Sequence, residues 1–539
     1  MKKTISIFAI LLVIVLAFSA CTPSVTVPAE TPNPQTVPGP LPKQADPTDD
    51  GKPFDYTVCG AISSNMVFQR NQYINVYGTA DAPGSVIYAD FMGETRWGEA
   101  DEQGDWVIQF DPKEASKDPV ELKVYNKAQG SGGGYNFSNI LIGDVWMVAG
   151  QSNVQVTLAS TLDNNPDFIN TVSPSDNIRV FTQFYWDCGG TYFEMNEDGS
   201  DLKTEGVKLV PIDGKPLKNT PAGIEWQVAD QEVAKGFSAV GYYFAKMVAD
   251  NTGIPIGMVQ VVAGGAAICD FMPPDKYDKA KYNHGASLFN ATDIYNCLMA
   301  PFANTSIAGM LWYQGEANEG DYDLYAPDLK AFIGMMREIY GSNMPFYDVQ
   351  ITSHNDTNAA WPNIAEIRYQ QASLIGQVDN YYCVCTMDHG SNGLDTDWAH
   401  PRNKKHIGDR LGWVALSRYY NDEKYDIEYY GSPAVVDVQI KGKNAYVYYK
   451  YVGDGLKTAD GGKEVLGFYS RAAGTTLSAS IVSKNCVKVV LEDRNGDSFA
   501  TQSFRLVYGS GAMADDRTCN LQNSNDIGAL AFDYVYRVD

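Results

Sequence analysis

The chain has 539 residues, 44% hydrophobic and 12% aromatic, ample for cores of ordinary size in about three domains. Acidic residues outnumber basic ones by 65 to 41, leaving a net charge of −24. Such a surface repels phosphate backbones and anionic headgroups, which argues against nucleic acid as a partner and against direct adsorption to an anionic membrane.

Residues 1–20 read as an export signal: Lys2 and Lys3, an apolar core from Ile5 to Phe18, then Ser19-Ala20-Cys21. The apolar stretch is too short for a stable membrane span. Its form resembles a bacterial lipoprotein signal. That resemblance implies that Cys21 becomes the lipidated first residue and that the protein is held at the cell envelope or cell surface. Plain secretion is the alternative, since Phe18 departs from the usual Leu. Residues 21–53 are rich in Pro, Thr and Asp, without apolar periodicity, and are expected to form a disordered tether.

Residues 54–139 read as short strands broken by turns, an N-terminal β-sandwich. Tyr73–Tyr77, Val86–Phe91 and Trp106–Ile108 are separated by Ala82-Pro83-Gly84 and Gln103-Gly104-Asp105. From residue 140 to about 425, apolar strands alternate with helical stretches. Val240–Asp250 precedes Met258–Ala263, and Leu324–Tyr340 precedes Pro345–Ile351. That alternation predicts an α/β domain with a doubly wound parallel sheet, whose active groups gather beyond the C-terminal ends of the strands. Residues 426–539 return to strands, at Val435–Ile440, Ala445–Tyr451, Val487–Leu491 and Ser503–Tyr508, and predict a second β-sandwich.

Within the middle segment the apolar run Ile140–Ala149 ends at Gly150-Gln151-Ser152-Asn153. A serine on a tight strand-to-helix turn has an exposed hydroxyl and a backbone N–H free to receive an oxyanion. An ordinary strand-end turn capped by Ser is the competing reading. Only five histidines are present, and Asp397-Trp398-Ala399-His400 places a carboxylate three residues before one of them. Such a carboxylate can hold the imidazole in one tautomer with its other nitrogen free for a serine. His389 is the alternative base and Asp395 the alternative carboxylate; His406 is expected on the surface of the following helix. Gly264-Gly265 and Gln314 follow two other apolar runs. Their backbone and side-chain amides, with the Ser152 N–H, are candidate oxyanion donors. A plain loop at the glycines and a buried structural amide at Gln314 are the alternatives. Glu316 cannot donate when ionised and is expected to orient neighbouring amides, with Asn153 in support. Trp146, Trp312, Tyr313 and Trp398 are either sugar-stacking platforms or core, and Trp146 is expected in the core.

Nine cysteines are present at irregular spacings, and Cys269, Cys297, Cys383 and Cys486 lie in apolar surroundings. They are expected to be buried free thiols, with no disulfide and no metal site. Asp493-Arg494-Asn495-Gly496-Asp497 reads as a hairpin turn and not a calcium loop.

The wording GQSN, WYQGE and D-x-x-H-P-x-N-K, in that order, resembles the sialate O-acetylesterase family of carbohydrate esterases within the SGNH hydrolase superfamily. Ala263-Gly264-Gly265-Ala266 is similar to the family's glycine block, and the resemblance runs from about Asn65 to near the C-terminus. It departs from the family pattern at Ala266 and Ala317, where hydroxyls are usual, and at Val154 in place of Met. The resemblance implies a serine esterase with Ser152, Asp397 and His400 as its triad. It implies no cofactor, and an acetylated glycan, of sialic acid or another sugar, as substrate. A short-chain or lipid esterase and a catalytically inactive glycan-binding lipoprotein are the competing functions. Nothing in the sequence fixes the oligomeric state.

Overall fold

The computed structural model describes residues 37–49, 51–162, 177–188, 215–352, 362–389, 400–401, 403–470, 474–510 and 518–538. Its centre is a sheet of six parallel strands built from the near-continuous apolar runs. They are β1 (Tyr135–Gly150), β2 (Ile178–Phe181), β3 (Ile256–Val262), β4 (Gly309–Tyr313), β5 (Phe346–Val349) and β6 (Tyr381–Val384). Their spatial order is β2-β3-β1-β4-β5-β6, with the short strand Gln227–Val228 antiparallel on the β2 edge. The register pairs Trp146 with Gly309 and Ala149 with Trp312. Side chains alternate along a strand, so Trp146 and Trp312 leave opposite faces of the sheet.

Each face is covered by helices, as strands buried on both sides require. On the Trp146 face lie α1 (Ala239–Thr252) and α4 (Lys405–Arg418); Trp146 meets Phe244 and Tyr419 edge to face. These two helices approach closely at Gly408, where a Cβ would lie 2.5 Å from the Tyr243 Cβ. On the Trp312 face lies α2 (Tyr325–Tyr340), whose Phe332 ring is 4.9 Å from Trp312. Helix α3 (Ile364–Ser373) packs against α2. The expected helices and strands of this segment are all present, with ends shifted by at most two residues except at β1, which begins five residues earlier.

The expected boundary at residue 139/140 falls inside β1. The first half of β1 pairs with Ser116–Asn126 and Val67–Gln69, and its second half with β3 and β4. One strand therefore serves the N-terminal strands and the central sheet. Its burial changes where the composition changes: exposed or partly exposed through Asn139, buried from Ile140 onward. Val86–Phe91 and Glu94–Glu99 extend the same sheet, while Tyr56–Val58, Ile74–Ala80 and Asp105–Phe110 form a separate three-stranded sheet. Fully buried Asp144 ties the two regions, accepting from Arg70 Nε at 3.0 Å and Gln69 Nε2 at 2.8 Å.

The C-terminal residues form two four-stranded antiparallel sheets and one two-stranded ribbon. They dock on the β5–β6 side of the centre. Ala531 N donates to Gln350 Oε1 at 2.9 Å, and Arg505 forms an ion pair with Glu366. Gly528 N and both Arg410 Nη atoms meet Asp388 at 2.6–2.8 Å. The Asp493–Asp497 segment is a turn, with Asp493 Oδ1 accepting from the Asn495 and Asp497 N–H groups.

One expectation fails at Cys297, which is disulfide-bonded, whereas Cys59, Cys269, Cys383, Cys385, Cys486 and Cys519 are buried free thiols. The apolar surroundings of Cys297 suited either state, because a disulfide is itself an apolar group. Residues 1–36, with the signal-like segment and Cys21, lie outside the described residues. The later part of the expected disordered tether is instead held on the N-terminal strands: Leu41 N donates to Asp111 Oδ1 at 2.6 Å, Trp97 Nε1 to Ala45 O at 3.0 Å and Tyr88 OH to Asp49 Oδ2 at 2.9 Å. Among the described residues no helix is long and apolar enough to cross a membrane.

Candidate active site

The chain runs from β1 to β2 and β3 on one side, then crosses to β4, β5 and β6 on the other. Beyond the C-terminal end of β1 a crevice therefore opens between the β3 and β4 turns. Gly150 closes β1 with φ +139°, and a Cβ there would lie 2.2 Å from the Tyr313 carbonyl oxygen of β4. A side chain is excluded twice over, by conformation and by space. Gln151 N donates to that same carbonyl at 3.1 Å, and Ser152 opens a single helical turn, Ser152–Gln155. Ser152 is half-buried, and its Oγ lies 2.8 Å from His400 Nε2. Its backbone N–H has no acceptor among the described residues, as the first turn of a helix leaves it.

His400 is thus the histidine that the fold brings to the serine. The carboxylates expected to orient it, Asp397 and the alternative Asp395, lie outside the described residues, as do Trp398 and the side chain of His389. His406 is half-buried in the first turn of α4, not exposed as expected.

Behind Ser152 stands a buried polar chain that the sequence indicated only in part. Lys404 Nζ donates to Asn153 Oδ1 at 2.6 Å, and Asn153 Nδ2 donates to Glu316 Oε1 at 2.7 Å. Lys404 is fully buried and also lies 5.3 Å from the centre of the Tyr313 ring. Burial pushes the Glu316 carboxyl above the usual carboxylate range, against the pull of the Asn153 bond and of the His400 and Lys404 charges. Glu316 and Asn153 occupy the orienting positions expected of them. Lys404 was missed as a site residue, although it closes the quoted D-x-x-H-P-x-N-K string.

The candidate oxyanion donors separate into used and unused. The Gln314 side chain is fully buried, and both its amide hydrogens are taken, by Ala266 O at 3.1 Å and Asn318 Oδ1 at 2.8 Å. Its expected role as donor to substrate is corrected to that of a structural amide bracing the β3 and β4 turns. The Gly264 N–H is likewise taken, by Gln155 Oε1 at 2.7 Å. Gly265, at φ +79°, keeps an N–H with no acceptor among the described residues. Ser152 and Gly265 therefore supply the open donors. Gln151 and Gln155 were also missed: the first accepts from the Gly315 and Ala317 N–H groups at 3.3 and 3.2 Å, tying the β4 turn to the serine turn. Both are legible afterwards as amides flanking the serine, but nothing in their spacing distinguished them from surface glutamines.

Trp146, Trp312 and Tyr313 are buried and belong to the core. Ala266 and Ala317, the two positions lacking the family's hydroxyls, are also buried. A cavity of about 270 Å³, bordered by Tyr347, Tyr382 and Arg418, lies at the opposite ends of these strands and shares no residue with the Ser152–His400 pair. Among the described residues no three His, Cys, Asp or Glu side chains converge as metal ligands.

Residues 142–415, just over half of the chain, match the family model described as carbohydrate esterase, sialic acid-specific acetylesterase. The sialate O-acetylesterases of Pongo abelii and Homo sapiens are each 23% identical to the chain over 345 residues, covering 60% of it and 62% of their own length. The chain thus spans less than two thirds of these relatives. A solved carbohydrate acetylesterase from Xanthomonas citri superposes with a TM-score of 0.70 at 24% identity, covering 89% of this chain and 99% of that one. That likeness is one of fold.

Proposed function

The chain belongs to the sialic acid-specific acetylesterase family of carbohydrate esterases, and from that premise we propose that it removes O-acetyl groups from glycans through a serine acyl-enzyme. The observation that supports this reading is the 2.8 Å approach of His400 Nε2 to Ser152 Oγ, beside two N–H groups without acceptors. In the first step Ser152 Oγ attacks the acetyl carbonyl carbon and its proton passes to His400 Nε2. Negative charge gathers on the carbonyl oxygen, which in this reading the Ser152 and Gly265 N–H groups receive. The sugar oxygen departs with the proton from His400. Water then attacks the acetyl-serine, giving its proton to His400, and acetate leaves as Ser152 recovers its hydrogen. Asp397 fixes the histidine tautomer in this scheme. Lys404, Asn153 and Glu316 set the backbone of the serine turn from behind and touch no substrate. No step calls for a metal or cofactor.

The same reading makes the strands before β1 and those of residues 426–539 two β-rich regions flanking the catalytic α/β centre, with β1 shared between the first region and that centre. It also places the enzyme outside the cytoplasm, on a lipid at Cys21, with a tether that ends before the strand-bound residues 39–49. Ser152→Ala is expected to lower ester hydrolysis by on the order of a thousandfold or more while the melting temperature holds. Acetate release is followed on 4-nitrophenyl acetate and on acetylated sialic acids, xylan and other glycans. A variant retaining a rate within about tenfold of the parent removes Ser152 as nucleophile. Hydrolysis that peaks on octanoate esters, with no acetate from any glycan, replaces the carbohydrate reading with a lipid esterase.

A further inference from the structure

We propose that Leu288 is the wall that confines the acyl side of the site to acetyl, an assignment that rests on the esterase reading. Gly265 carries one of the two open N–H donors. A Cβ built on it would lie 2.5 Å from Leu288 Cδ1 and 2.8 Å from Leu288 Cγ, so the isobutyl group rests directly on the glycine α-carbon. Leu288 N in turn donates to Gly265 O at 3.2 Å. One residue earlier, a Cβ on Gly264 would stand 3.6 Å from the Ser152 Cβ. Leu288 is therefore beside the space in which the carbonyl carbon must sit to reach both Ser152 Oγ and the Gly265 N–H. The side chain remains 37% exposed, one of the few large apolar groups left open to solvent among the described residues.

The segment carrying Leu288 is braced and does not have the build of a lid. His284 Nδ1 lies 2.8 Å from Asp328 Oδ2, and Gly285 N donates to Asp321 Oδ2 at 2.8 Å. Ala286 N donates to Ala317 O at 2.7 Å, and Ser287 Oγ bonds the buried Asp270 carboxyl. On the far side the Phe289 ring packs edge to face on Tyr185, 4.8 Å between centres. With anchors on the residues around it, the backbone at Leu288 cannot swing clear without breaking several of these bonds. A longer acyl chain consequently meets a fixed methyl-bearing wall instead of a pocket that opens.

The test is the ratio of kcat/KM for 4-nitrophenyl butyrate to that for 4-nitrophenyl acetate, in the parent, Leu288→Ala and Leu288→Met. Truncation to Ala clears room for about two more methylenes, each contributing roughly fourfold when buried. The ratio should therefore rise on the order of tenfold in Leu288→Ala and by much less in Leu288→Met, with the acetate rate kept within severalfold. An unchanged ratio, or equal losses on both esters, overturns the assignment. So does a change confined to the alcohol side, seen as an altered preference between 4-nitrophenyl and 4-methylumbelliferyl acetate at constant acyl ratio. A parent protein inactive on every ester of the series overturns the esterase reading, and the acyl wall with it.

Discussion

At the scale of single residues, the site is held by groups whose ionisation the fold has shifted. Asp270, under the Leu288 segment, is fully buried, and burial pushes its carboxyl up from 3.8 to about 7 despite bonds from Ser287, the Ala267 N–H and Cys269. Neighbouring Asp293 is raised by burial as well, and its charge adds to the rise at Asp270. A carboxyl whose folded pKa exceeds its unfolded value stabilises the protonated fold. That stabilisation is complete below about pH 4, falls as pH rises through about 7, and is flat above. Asp270→Asn can keep both main bonds, since Ser287 Oγ and the Ala267 N–H donate to the same carboxyl oxygen, a place the amide oxygen can take. The parent melting temperature should drop between pH 5 and pH 8 by a few degrees more than that of Asp270→Asn. Equal drops in the two proteins would show that Asp270 titrates at its ordinary value in the fold.

At the scale of elements, the β1-to-helix turn converts a buried strand into an exposed nucleophile within two residues. The turn depends on a conformation only glycine adopts easily, at Gly150, against the backbone of β4. Gly150→Ala should cost about 3 kcal/mol or more, through strain and through displacement of Tyr313, and should lower kcat because Ser152 moves with the turn. The same substitution at Gly334 has the opposite expected sign. That residue lies on the exposed side of α2 with nothing within 4 Å of a new Cβ, so Ala should stabilise by about 0.5–1 kcal/mol. Urea unfolding of both variants checks the pair. A Gly150→Ala protein within about 1 kcal/mol of the parent would mean that the turn does not need its glycine.

At the scale of the whole molecule, the charge balance bears on where such a site can work. A net charge of −24 disfavours adsorption to anionic lipid, so the proposed membrane attachment rests on the lipid at Cys21. One acyl chain anchors only marginally, and lipoprotein anchors are durable because several chains insert together. Cells expressing the full chain should yield the enzyme in the membrane fraction, resistant to high salt and released by detergent. Cys21→Ser should move it to the soluble fraction. A parent enzyme found in the soluble fraction or the medium would leave plain secretion.

The sequence by itself determined the α/β centre, the serine turn and the histidine. Ile140–Gly150 and its partner runs are apolar with few breaks, as strands covered on both faces read. Gly150 and Ser152 announce a sharp exit, and with five histidines in the chain the search for a base was short. Tertiary structure decided what depends on neighbours distant in the chain. Gln314 looked like a donor until Ala266 and Asn318 were seen to take its hydrogens. Gly264 looked equivalent to Gly265 until Gln155, more than a hundred residues earlier, took its N–H. Lys404, 251 residues from Asn153, gained its role only when α4 packed beside β1. Cys297 read as a thiol because sulfur in an apolar pocket has the same local sequence, reduced or bonded. In each case residue type limited what the group could do, and the packing of separate strands and helices chose which of its hydrogen bonds were already spent.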